Sequence, residues 1–407
     1  MNRHAPAIVF VLSLLAIDAI GIGIVIPVVP QLVLALSGRD ASHAAYWVGL
    51  LATGFAAMQF LASPVIGGLS DRFGRRPVIL MSVFGLGIDY LILALSPTLG
   101  VVLLARLLAG VTTANISAAT AYIADVTPAE QRGQRFGLIG ATFGLGFVLG
   151  PVIGGVLGGI WLRLPFFAAA ALALGNAFFG FLVLPESLPP ERRRAFSWRR
   201  ANPVAALFGL RANPRALRLA LAWSLTWVGL GALQSVFVLS TTLRFGWQTT
   251  ENGFALALAG LSQAVVQIFL MRRVLGRLGE KRTAFLGCLI AALAQSAYAF
   301  ATAGWMIYAA VMISAFGAIN TPALRALFST EASADRQGEA QGILASLQSL
   351  TAIFSPLLGA ALFAHFTAPG GSLFFPGAPF LLAALAYLLA SALLSGLGAR
   401  VAVSSDA

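Results

Sequence analysis

Apolar runs of about 20 residues recur from one end of this chain to the other, and as a helix each is long enough to cross a hydrocarbon core of roughly 30 Å. In lipid only helices and closed barrels satisfy their own backbone polar groups. The runs here are continuous and do not alternate at every second residue, which excludes a barrel. Of the 407 residues 59% are hydrophobic and 10% charged, far from the roughly 45–50% and 25% of soluble domains, so a soluble enzyme is excluded. The expected fold class is an all-α membrane protein with twelve transmembrane helices. Spans are predicted at about 7–34, 46–69, 77–96, 99–122, 134–159, 163–184, 216–243, 251–273, 282–300, 304–327, 338–364 and 378–399. They form two groups of six: an N-terminal half over 1–186, a basic linker over 187–215 and a C-terminal half over 216–407.

The formal charge of +12 would suggest nucleic acid in a soluble chain, but here its placement decides the reading. With the N-terminus inside, one side collects Arg3, the cluster at 72–76, Arg132, Arg135, the linker series from Arg192 to Arg218, the cluster at 272–282, Arg325, Arg336 and Arg400. The other side receives Arg39, Arg163 and Arg244, and Arg106 lies within a span. Cytoplasmic loops carry such an excess of Lys and Arg, so both termini and the linker are expected in the cytoplasm. No nucleic-acid partner is expected, and anionic lipid headgroups are the linker's expected neighbours. The N-terminal run has no small-residue cleavage site after it and reads as a retained first span. Cys288, the single cysteine, lies in an apolar run, which leaves no intrachain disulfide and the reading of a packed thiol.

Sliding the chain by 205 residues aligns the two halves without a gap. Arg72, Gly74 and Arg76 fall on Arg277, Gly279 and Lys281; Asn115 falls on Asn320; Pro151 and Gly154 fall on Pro356 and Gly359. Two parallel six-helix halves related by an axis along the membrane normal resemble the architecture of major facilitator transporters, with the substrate near the midplane between halves. The halves differ where Asp18 aligns with Trp223 and Asp89 with Ala294, which confines the acidic membrane residues to the first half.

Asp18 and Asp89 are the two acids deep within spans. A charge there is costly and faces a cavity or a partner, and burial disfavours a carboxyl's charged form, which suits a group that takes up and gives off a proton in each cycle. A structural hydrogen bond is the competing reading. Arg106 needs a carboxylate or carbonyl partner, and a proton relay and a structural ion pair are equally open for it. The segment from Gly67 to Pro77 carries Asp71, Arg72, Gly74, Arg75 and Arg76. Gly74 permits a tight turn, and the acid–base pattern offers ion pairs across the interface between halves, a gate that protonation or substrate could release. Gly146, Gly150, Pro151, Gly154 and Gly155 make span five a packing and hinge element. Candidate substrate-binding amides are Gln59, Asn115, Gln234, Gln263, Gln267, Asn320 and Gln348, with Trp223, Trp227 and Phe237 as candidate aromatic walls. His4, His43 and His365 are scattered, so no metal site is expected, and no GxxxxGK[ST] phosphate loop occurs, so no cofactor and no direct ATP use are expected.

These motifs carry a closer likeness. The run Asp71-Arg-Phe-Gly-Arg-Arg76 resembles motif A of the major facilitator superfamily, Arg106-Leu-Leu-Ala-Gly110 resembles motif B, and Gly146 to Gly155 resembles motif C of its drug/proton antiporters. With Asp18-Ala-Ile-Gly, Asp89-Tyr90 and Tyr122-Ile-Ala-Asp125, the chain is similar to the TetA-type tetracycline efflux family, densely so over about 10–186. The resemblance implies export of a metal–tetracycline cation, with Mg2+ travelling on the drug, in exchange for a proton drawn from the proton gradient. It implies a multi-pass monomer of the bacterial inner membrane, Asp18 and Asp89 as the membrane carboxylates, Gln59 as a drug-handling position and Asp125 as the charge partner of the 72–76 loop. Two positions depart: Ala291 stands where the family carries an aspartate in span nine, and Gln263 where it carries a histidine in span eight. A multidrug exporter that does not act on tetracycline and a proton-coupled importer of a small metabolite remain the alternatives.

Overall fold

The computed structural model describes residues 5–38, 40–113, 116–128, 131–193, 213–331, 337–371 and 373–396. Within them the chain forms fourteen α-helices and no strand. In the first half these are α1 (Ala5–Leu36), α2 (Ala41–Phe73), α3 (Arg75–Leu95), α4 (Leu99–Thr112), α5 (Ile116–Val126), α6 (Arg132–Ile160) and α7 (Leu164–Val183). In the second they are α8 (Pro214–Phe245), α9 (Thr249–Val265), α10 (Met271–Phe300), α11 (Gly304–Gly317), α12 (Asn320–Ser329), α13 (Gln337–Thr367) and α14 (Ala378–Ser395), with a π-helical turn at Val266–Leu270 between α9 and α10. The expected linker lies mostly outside the described residues, which include only a 3-10 turn at Pro190–Arg192.

Twelve spans result among the described residues, and the tenth is broken, α11 being followed by α12. The single-helix prediction over 304–327 is corrected on this point, and in the fourth span residues 114–115, between α4 and α5, lie outside the described residues. Conversely, spans eight and nine join through almost continuous helix, Thr249–Phe300, interrupted by non-helical backbone at Gly279, whose φ is +71°. The polar stretch expected to form a loop at 273–282 is instead helical up to that glycine, because helix satisfies the backbone of Arg272 to Leu278 as well as water does.

The duplication appears in the backbone. Gly74 (φ +106°) separates α2 from α3 as Gly279 separates span eight from span nine, 205 residues later. The limits of α4 and α11 obey the same shift.

Helices α2 and α13, and α6 and α9, form the seam between halves, with α1 adding contacts to α8 and α9. On the side away from the 72–76 loop, a single apolar core runs through both halves, from Ile24, Leu86 and Phe166 to Val236, Tyr298 and Phe363. On the arginine-rich side each half has its own core: Phe10, Val83 and Tyr122 in the first, Trp223, Leu324 and Leu344 in the second. Polar seam contacts follow the same division. Gln31 donates to Thr242 Oγ1 (2.6 Å) and to the Trp247 carbonyl, Thr53 to the Ile353 carbonyl (2.7 Å), and Thr250 to the Gly155 carbonyl (3.2 Å). All lie in the half of the bundle remote from the arginine-rich loops. Among the described residues these polar contacts join the two halves on that side.

Span five is the plate between them. Gly146, Gly150 and Gly154 lie against Ala19, Gly23 and Ile24 of α1, while Gly155 and Gly158 meet Thr249 and Gly253 of α9. A Cβ on Gly155 would come within 2.8 Å of the Thr249 carbonyl oxygen, closer than real Cβ atoms approach, so helices here pack backbone to backbone. Two of the three arginines that break the charge bias are explained by capping, and Arg39 lies outside the described residues. Arg163 donates to the carbonyls of Ala94 and Ser96 at the end of α3, and Arg244 to those of Tyr298, Ala299 and Ala301 at the end of α10, where the helix dipole favours a cation.

Candidate functional site

The buried charges sit together inside the first half. Asp89 lies on α3 and Arg106 on α4, which run antiparallel through the short turn at 96–98, and Arg106 Nη2 is 2.6 Å from Asp89 Oδ2. The two side chains are 0% and 9% exposed. Arg106 thus has a carboxylate partner, as its place within a span requires. Asp18, on α1, is buried as well. Tyr90, next to Asp89, lies within electrostatic reach of Arg106, Asp89 and Asp18, and its ring abuts Gly21, three residues beyond Asp18, where a side chain would collide with the hydroxyl. Sequence reasoning placed Tyr90 only in a motif. The signal that could have found it is a phenol beside an intramembrane carboxylate.

The duplication provides an internal comparison for this cluster. In the second half Asp18 becomes Trp223, Asp89 becomes Ala294 and Arg106 becomes Val311, all buried. Both members of the ion pair are replaced by apolar groups. Trp223 is a core residue whose indole N–H donates to the Leu344 carbonyl (3.0 Å), with the Arg325 guanidinium 5.8 Å from its ring centroid.

The gate residues form a second cluster at the arginine-rich end. Arg75 pairs with Asp71 (2.6 Å) and Asp125 (3.3 Å) and donates to Ser70 Oγ. Arg76 donates to the Phe181 carbonyl, and the Arg72 guanidinium lies 5.1 Å from the Phe73 ring centroid. Glu186, absent from the sequence candidates, accepts from the backbone N–H of Arg75 (2.8 Å) and Arg76 (3.3 Å), capping α3 where its N-terminal donors are unmet. Gly74 is required there twice over: its φ is positive, and a Cβ would overlap the Glu186 carboxylate. The expectation of ion pairs across the interface between halves is corrected for this conformation. Among the described residues, every ion pair formed by Asp71, Arg75 and Asp125 has both partners in the first half.

The candidate substrate amides are dispersed. Gln59 donates to Thr113 Oγ1 at 3.3 Å from the half-buried face of α2. Gln234 on α8 and Gln263 on α9 are exposed on seam helices, and Gln267 is exposed on the π-helical turn. Gln348 is half-buried on α13. Asn320 is 2% exposed and packs against Gly287 of α10, where it accepts from Thr321 Oγ1, so it is a packing residue of the second half. Asn115 lies outside the described residues. Of the aromatic candidates, Phe237 stacks edge-on with Tyr298 in the shared core and Trp223 is buried, while Trp227 is half-buried beside it. At the two departures, Ala291 is 6% exposed and packs against Gly317 of α11, and Gln263 keeps an exposed polar side chain.

The Major Facilitator Superfamily model matches residues 11–270 and 232–401. Tetracycline resistance protein, class C, of Escherichia coli is 39% identical over 362 residues, covering 88% of this chain and 90% of that protein. Tetracycline resistance protein, class B, of Escherichia coli is 37% identical over 369 residues, covering 89% of each. Among solved structures, an inward-facing, occupied bacterial homologue of the human lysosomal transporter Spinster superposes with a TM-score of 0.76 at 16% identity, covering 97% of both chains, a likeness of fold alone.

Proposed function

The chain belongs to the major facilitator superfamily, a family of membrane transporters and not of enzymes, and we propose that it is a proton-coupled antiporter exporting tetracycline or related amphipathic drugs across the bacterial inner membrane. The observation that carries this reading is the buried Asp18–Asp89–Arg106 cluster, confined to the half that also bears the glycine-rich plate of span five. Loading a proton onto a buried carboxyl and loading a cationic drug into the same half compete, so a proton entering down its gradient drives the drug outward. The basic bias supports cytoplasmic loops at the arginine-rich end and cytoplasmic termini, and on that topology the conformation described is open to the cytoplasm. Asp71, Arg72, Arg75, Arg76 and Asp125 then act as the gate that closes when the halves rock, exchanging partners within the first half for partners across the seam. Mg2+ travels with the drug as part of the cargo, and the working unit is a monomer.

The buried Ala291 favours a second reading, an exporter of other amphipathic drugs, because the carboxylate expected in span nine is absent from that position. Uptake into inverted vesicles separates them. Tetracycline uptake with Mg2+ that requires an imposed proton gradient and is lost in Asp18→Asn supports the first reading. Gradient-dependent uptake of other cationic drugs without tetracycline supports the second, and uptake of neither overturns both.

A further inference from the structure

At the end of span eight Ile268, Phe269, Arg272, Arg273, Gly276 and Arg277 line an open cavity of about 540 Å3. Above it an apolar stripe, Leu261, Val265, Ile268 and Phe269, runs down span eight; Ile268 is 70% and Phe269 62% exposed. On a membrane-spanning helix this stripe faces acyl chains. Directly below, Arg272, Arg273 and Arg277 are exposed, and none of them forms an ion pair among the described residues. Arg273 is held in place by donating to the Phe269 carbonyl (2.9 Å).

The duplication shows that this chemistry is not what the loop needs for its topology. In the first repeat the positions of Arg272, Arg273 and Gly276 are Gly67, Gly68 and Asp71, and the position of Thr330 is Asp125. The first-half loop thus contains acids that pair with its own arginines. In the second half both acids are gone, two arginines have been added, and Gly276 leaves open space where the acid stood, with nothing within 4 Å of a Cβ built there. A concave trio of cations beneath an acyl-facing stripe matches an amphiphile with an anionic head.

The geometry points to a binding site for an anionic phospholipid at the end of span eight, its phosphate held by Arg272, Arg273 and Arg277 and its chains laid along Phe269, Ile268 and Val265. Each arginine near an anionic headgroup contributes about five-fold in affinity, so the three together account for roughly 100-fold.

The test uses the full chain in detergent micelles, titrated with short-chain phosphatidylglycerol or phosphatidylcholine and read by native mass spectrometry and thermal melting. Wild type is expected to retain phosphatidylglycerol over phosphatidylcholine and to melt higher with it. Arg272→Gln/Arg273→Gln/Arg277→Gln is expected to lose about 100-fold in apparent affinity, whereas neutralising Arg192, Arg193 and Arg194 of the linker leaves this site unchanged. Gly276→Asp, which restores the acid of the first repeat with all three arginines kept, is expected to lose several-fold and decides the matter if the triple variant does not fold. The proposal is overturned by equal retention of the two lipids in wild type, by undiminished phosphatidylglycerol binding in both variants, or by a loss that follows only the linker arginines. Inorganic phosphate competing as well as phosphatidylglycerol also overturns it, since the site is then a general anion pocket.

Discussion

Removing Asp89 and Arg106 together should disturb the protein less than removing either alone. The pair is 2.6 Å apart with side chains 0% and 9% exposed, so each ion is compensated almost entirely by the other. Asp89→Ala leaves a guanidinium in a dry interior and Arg106→Val leaves a carboxylate; breaking one side of a buried pair costs about 3–5 kcal/mol. The double variant Asp89→Ala/Arg106→Val reproduces what the second half already contains at Ala294 and Val311, both fully buried. It removes the charge penalty and leaves only the cavity of the shortened side chains, about 1–3 kcal/mol. Single losses that would add to roughly 6–10 kcal/mol should therefore collapse to a few, a coupling of at least about 3 kcal/mol. Reversible unfolding in mixed micelles, followed by tryptophan fluorescence, measures all three variants. A double variant whose loss equals the sum of the singles within ~0.5 kcal/mol refutes the argument, for the two side chains then do not act as a pair. Vesicle uptake of the same double variant should be absent, because restoring the fold does not restore a carboxyl for the proton.

Gly155→Leu should block transport while the chain still inserts, since its side chain strikes the Thr249 carbonyl at the joined side of the seam; normal uptake rates would dismiss the backbone-to-backbone seam as a working contact. Glu186→Gln keeps the shape of the α3 cap and weakens its charge-assisted bonds to Arg75 and Arg76, so a loss of about 1–2 kcal/mol and faster amide exchange at those two residues are expected; unchanged exchange would remove the cap. Ala291→Asp, which supplies the carboxylate that the resemblance expects in span nine, should lower folded yield, because the position is buried against Gly317 and a charge within the membrane costs at least about 3 kcal/mol. Wild-type yield and melting would show that the position is open.

Much of this was legible because lipid leaves the backbone few choices. Span number, the duplication and the charge bias all depend on composition over long windows. The break after α11 was not legible: Ala318 and Ile319, between α11 and α12, are neither proline nor glycine. Nor was the reach of span eight, where the arginine-rich stretch from Arg272 to Leu278 remains helical and a single glycine makes the turn. At the site, Asp89 and Arg106 were both singled out, but their pairing needs the antiparallel packing of α3 on α4. Asn320 was misread as facing a cavity because the feature that decides its surroundings is Gly287, 33 residues earlier on another helix. Glu186 stands in a Pro-rich stretch that reads as the start of a linker, and only the fold brings it to the helix end it caps.

The same internal comparison bears on how the proposed gate can move. Asp71 and Asp125 already share Arg75, and Arg76 is satisfied by a carbonyl of its own half. Closing the arginine-rich side therefore does not require naked charges to be brought together and desolvated, but only that existing partners be exchanged for new ones. Asp71 is 46% exposed and Asp125 28%, so the pairs being given up are water-screened, and such pairs are worth about 1 kcal/mol or less each. A difference of that size between open and closed states is one that proton or drug occupancy can tip, since a ligand moves a two-state balance only by its differential affinity for the two states. The second half has Gly276 and Thr330 in place of these acids, so at these corresponding positions the proposed gate draws its acids from the first half.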